Sequence, residues 1–73
     1  MARRMNADEQ NFIEEHVIKL VTGNKEGVSI ETILDYLDYT NRVRYDEKDI
    51  NPILNKLISD QIIYEDQDLY LAK

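Results

Sequence analysis

The apolar residues between Ser29 and Leu71 run at helical spacing through two short segments and then at strand spacing. Few folds accommodate that order. Ile30, Ile33, Leu34 and Leu37 follow i, i+3, i+4, i+7, which places them on one stripe of a helix. Ile50, Ile53, Leu54, Leu57 and Ile58 repeat the stripe further on. Ile62–Glu65 and Leu69–Ala72 then read as two short strands joined by a turn at Asp66, Gln67 and Asp68.

The boundaries follow from punctuation. Asn6 with Glu9 three residues later resembles a capping box, so a first helix is predicted over 7–22. Ile13, His16, Val17, Leu20 and Val21 form its core stripe, and Gly23 is expected to leave it in the left-handed conformation. Val28 is expected to add a residue or two of strand beside the hairpin. Ser29 caps a second helix over 30–39. Thr40 to Tyr45 form a turn. Asp46 or Asp49 caps a third helix over 46–60. Pro52 tests that choice, because a proline beyond the first turn removes a hydrogen bond and crowds the preceding turn. An irregular start near Asp46 is therefore expected. The hairpin occupies 62–72.

Seventy-three residues make one domain, 1–73, that buries only about 60% of its unfolded surface. The core then needs nearly every aliphatic residue, Ile62, Ile63, Leu69 and Leu71 included. The absence of cysteine excludes disulfides and thiolate metal sites. No apolar run approaches the roughly 20 residues of a membrane span, and Arg3 and Arg4 are not followed by the apolar stretch of a signal peptide. A cytoplasmic protein without membrane contact is expected.

The net charge is −6 with pI ≈ 4.6, and it is uneven. Residues 29–41 carry −3 and residues 57–73 carry −3, whereas residues 42–56 carry +1. Acidic proteins are repelled by phosphate at long range, which weighs against a nucleic-acid partner; the excess of cations over residues 42–56 weighs weakly the other way.

SIETILDYL followed by DINPILNKLISDQIIYEDQDLYL resembles the winged helix-turn-helix superfamily over roughly residues 6–72. The resemblance implies an α+β, mainly helical fold: a three-helix winged helix-turn-helix with a short C-terminal β-hairpin wing. It also implies transcription regulation, with the third helix in the major groove and the wing on phosphate or minor groove. Some families of the superfamily bind only protein. Lys48-Asp49-Ile50-Asn51 is also similar to the recognition-helix segment of the Z-DNA-binding domains of RNA-editing adenosine deaminases. Asn55 departs from the tyrosine expected there, and the hairpin lacks the paired prolines, so the general resemblance is the one adopted.

An enzyme is not expected. His16 is the only histidine and projects from the core-facing side of its helix; Gly23 and Gly27 are the only glycines. Neither a catalytic site, a metal site nor a cofactor is expected. Turning the third helix by roughly 100° per residue puts Lys48, Pro52, Asn55, Lys56 and Ser59 opposite the buried stripe, with Asn51 at its boundary. Lysine contacts phosphate or guanine and asparagine pairs with adenine. Arg42 and Arg44 in the preceding turn would clamp the DNA backbone. The alternative is an acidic protein-interaction module without DNA binding, whose partner has a basic surface. Tyr36 and Tyr39 lie off the second helix's stripe, and tyrosine is enriched at interface hot spots. Phe12 and Ile18 lie off the first helix's stripe and are the expected seam of a homodimer.

Overall fold

A computed structural model describes residues 5–73. Three helices, α1 (Ala7–Thr22), α2 (Ile30–Asn41) and α3 (Glu47–Ser59), precede an antiparallel hairpin of β1 (Ile63–Asp66) and β2 (Leu69–Ala72). The fold is α+β and mainly helical, with the hairpin at the C-terminus. Arg3 and Arg4 lie outside the described residues.

Local chemistry accounts for the helix ends. The Glu9 N–H donates to Asn6 Oδ1 at 2.7 Å and the Thr32 N–H to Ser29 Oγ at 3.2 Å, each satisfying a donor that the first turn leaves open. α2 runs two residues past the predicted end. Thr40 Oγ1 donates back to the Tyr36 carbonyl at 2.9 Å, and the helix stops only at Arg42, whose φ of 57° is left-handed. Gly23, by contrast, is right-handed (φ −78°), so its expected left-handed exit is not used.

α3 is helical from Glu47 with Asp46 as its cap, and the irregular start expected there is absent. Asp49 Oδ2 accepts from the Asp46 N–H at 3.1 Å, which holds the first turn. Pro52 lies inside the helix beyond the first turn and is exposed, so the Lys48 carbonyl it leaves without an intrahelical partner is on the exposed side. At the other end Gln61 takes φ 61°. Its N–H reaches the Ile58 carbonyl and the Ile62 N–H reaches the Leu57 carbonyl, both at 3.0 Å. This pair of bonds is a Schellman closure, normally built on glycine.

The hairpin turn is tighter than expected. Only Gln67 and Asp68 lie between the strands, with φ of 52° and 66°, the left-handed pair of a type I′ turn. Register pairs Ile63 with Ala72, Tyr64 with Leu71, Glu65 with Tyr70 and Asp66 with Leu69. Val28 bridges Tyr70 from the other side through bonds of 2.9 and 2.7 Å. The segment between α1 and α2 is thereby tied to the hairpin, as expected of Val28.

α1 packs against α2, α3 and β2, and α3 packs against β1. Their shared core holds Ile13, Val17, Val21, Ile33, Leu37, Ile50, Leu54, Leu57 and Ile63. Two residues depart from the expected core. Ile62 is 39% exposed, because adjacent strand residues face opposite ways and Ile63 takes the inner side. Tyr45, read as part of the turn, is only 4% exposed. Leu20, Ile30, Leu34, Ile58, Leu69 and Leu71 are half-buried.

Candidate nucleic-acid interface

All seven residues expected to face DNA, namely Arg42, Arg44, Lys48, Asn51, Asn55, Lys56 and Ser59, are exposed. The five on α3 recur at 48, 51, 55/56 and 59, a spacing that keeps them on one side of a helix. Ile50, Ile53, Leu54 and Leu57 hold the other side against the core. Asp49 is the carboxylate nearest the middle of that series. It is buried and turned onto the Asp46 backbone, so it adds no exposed negative charge among the lysines and asparagines.

The cations are not equally available. Lys56 Nζ contacts both carboxylate oxygens of Glu14, at 3.1 and 3.3 Å. Glu14 projects from α1 and is half-buried, so Lys56 spends part of its charge inside the domain. Sequence reasoning had no access to this pair, since 42 residues separate its members. Arg44 Nε lies 4.0 Å from Asp38 Oδ2 with both side chains well exposed, a pair of little energetic weight. Among the described residues Lys48 and Arg42 have no ion pair. Arg42 also ends α2, its N–H donating to the Asp38 carbonyl at 2.9 Å.

The hairpin does not supply a cationic wing. Its turn is Gln67-Asp68, flanked by exposed Asp66 and Glu65. Phosphate contact from this element is disfavoured by simple repulsion. Tyr70, half-buried opposite Glu65, has its hydroxyl pKa raised above the ordinary tyrosine value by burial, then by Glu65, Glu47 and Asp68.

The residues expected at a protein interface separate into two groups. Tyr39 is 84% exposed on α2, on the helix that carries Glu31, Asp35 and Asp38. Phe12 is also exposed and lies against His16, with ring centroids 4.0 Å apart. Tyr36 is half-buried, its ring 6.0 Å from that of His16. Ile18 is half-buried and packs on the core. Of the two residues expected at the α1 seam, Phe12 alone stands out from the surface. His16 Nδ1–H donates to the Phe12 carbonyl at 2.8 Å, a satisfied histidine within an aromatic cluster. Among the described residues no group of acidic and histidine side chains is arranged to hold a metal ion. Among them no helix is long and apolar enough to cross a membrane.

No family model matches this chain, and neither a curated protein nor a solved structure matches it.

Proposed function

We propose that this chain is a small duplex-DNA-binding domain, a transcriptional regulator or accessory factor, that reads DNA with α3. One observation carries the reading. Lys48, Asn51, Asn55, Lys56 and Ser59 are all exposed on α3, and the nearest internal carboxylate, Asp49, is buried. In a chain with fifteen acids and nine lysines and arginines, this surface of α3, with exposed Glu47 at its edge, is the stretch among the described residues best suited to phosphate and base edges.

In this reading α3 lies in the major groove. Lys48 and Lys56 meet phosphate or guanine, and Asn51 and Asn55 meet adenine. Arg42 and Arg44 hold the DNA backbone from the preceding turn. The acidic hairpin tip stays off the phosphates. The winged helix-turn-helix resemblance supports this placement of the third helix. With a net charge of −6, binding is weak and strongly salt-dependent.

The test is residue-resolved amide shifts on titrating mixed-sequence duplex DNA at low and then higher salt. Shifts over residues 42–59 that vanish in salt are expected. An unperturbed spectrum at low salt would refute the proposal.

The second reading is an acidic protein-interaction module. It is favoured by Tyr39, the most exposed large hydrophobic side chain among the described residues, on an acidic helix. Its partner would carry a basic surface. A Tyr39→Ser variant that keeps DNA binding but loses a partner would favour it.

A further inference from the structure

An antiparallel sheet that packs one face on a core ordinarily turns polar residues outward. This hairpin carries apolar residues on both faces. Paired residues share a face, and the pairs Tyr64–Leu71 and Asp66–Leu69 lie on the side opposite buried Ile63. Ile62 joins them, its carbonyl accepting from the Lys73 N–H at 3.1 Å. Ile62, Tyr64, Leu69 and Leu71 therefore form an apolar outer face, edged by Asp66 at the turn and Lys73 at the open end. Ile62 is 39% and Tyr64 40% exposed, while the two leucines are half-buried.

Gly27 lies against the two leucines of this face and leaves Ile62 and Tyr64 uncovered. It precedes Val28, the residue that bridges β2, and a Cβ added to it would meet Leu69 Cβ and Leu71 Cγ at 3.1 Å. Any larger residue would stand against these leucines. Its φ of 96° also reserves the position for glycine.

The turn end of the face is acidic: Glu26, Asp66 and Asp68 are exposed, against Lys25 and Lys73, and residues 57–73 carry a net −3. We propose that this outer face docks a cationic segment of another protein, one that presents apolar side chains between lysines or arginines. Tyr64 is the aromatic anchor, and the carboxylates at the turn meet the partner's charges. A second copy is the poorer occupant. It would bring two chains of charge −6 together at their acidic hairpins. Four partly exposed side chains also fall well short of the roughly 800 Å² per partner of a stable interface. A face of this size suits weak docking of a short segment. The inference does not rest on DNA binding, because none of the seven α3 and turn residues belongs to the face.

The probe is a short synthetic peptide alternating lysine with leucine, titrated into the full chain and followed by amide shifts. A counterpart with glutamate in place of lysine serves as control. The expected result is shifts centred on residues 62–71 with the cationic peptide and none with the acidic one. Ile62→Ser with Tyr64→Ser should lower the affinity about tenfold while the melting temperature is retained. If that variant unfolds, Asp66→Lys with Glu26→Lys touches no core residue and should lower the affinity about as much. Equal binding of the acidic peptide, shifts confined to α2, or unchanged affinity in the folded variants would overturn the proposal. So would sedimentation showing a dimer that Ile62→Ser with Tyr64→Ser dissociates, since a second copy would then cover the face.

Discussion

The Tyr45 hydroxyl donates a 2.6 Å hydrogen bond to Glu9 Oε2, joining the turn before α3 to the first turn of α1. Asn41 Nδ2 approaches the same hydroxyl at 3.4 Å. A side chain from an apparent loop thus pins the start of α3 onto the body of the domain. That positions Arg44, just before the pin, and Lys48, three residues after it. Tyr45→Phe should keep the packing and lose the bond, for about 1–2 kcal/mol of stability. Tyr45→Ala should cost about 3–5 kcal/mol, because it also opens a cavity. Chemical denaturation distinguishes the two. Equal losses would mean that packing alone matters at this position.

Gln61 occupies the left-handed exit of α3 at φ 61° with both Schellman bonds in place. A side chain in that conformation is strained, and glycine is not. Gln61→Gly should therefore raise stability by about 1 kcal/mol, read as a higher denaturation midpoint with an unchanged slope. A loss of stability would show that the glutamine side chain compensates for its backbone.

Tyr70 contributes to the loss of stability at alkaline pH. Burial and the nearby carboxylates of Glu65, Glu47 and Asp68 raise its pKa above the ordinary 10.0. Below pH about 10 both folded and unfolded chains keep this proton, and its contribution is fully present. As pH rises further the unfolded chain ionises first, so stability falls until the folded hydroxyl ionises too. Tyr70→Phe should show a shallower loss of stability above pH about 10. The same loss in both proteins would place the alkaline transition elsewhere.

Glu14 sets how much of Lys56 a nucleic acid can use. In the DNA-binding reading, Glu14→Gln frees the ammonium it now contacts at 3.1 Å. The slope of log affinity against log salt should then steepen by about 0.9, the value of one added phosphate contact. Lys48→Glu with Lys56→Glu should abolish binding in the same assay without changing the fold. An unaltered slope in Glu14→Gln would remove Lys56 from the interface, while unaltered affinity in the double reversal would remove α3 altogether.

The three helices and the hairpin were legible in the chain because their signals are local. Ser29 followed by Ile30, Ile33, Leu34 and Leu37 contains both the cap and the buried stripe of α2 within three turns. Asn6 with Glu9 likewise announces α1. The exposed series on α3 followed from the same periodicity, since a helix with one side in the core must turn the other to solvent. Other features depend on contacts between distant segments. Neither the burial of Tyr45 nor the pairing of Glu14 with Lys56 has a periodic signature, and each spans more than thirty residues. The inner side of the hairpin was similarly ambiguous: Ile62, Ile63, Tyr64, Leu69 and Leu71 are apolar on both faces, so periodicity could not choose. Packing of α3 on β1 chose Ile63 and left Ile62 and Tyr64 to solvent. Spacing along the chain established which elements form, because a helix or hairpin is specified by its near neighbours. Which cations stay available and which apolar face stays bare was settled by how those elements pack, because charge pairing and burial are properties of neighbours in space.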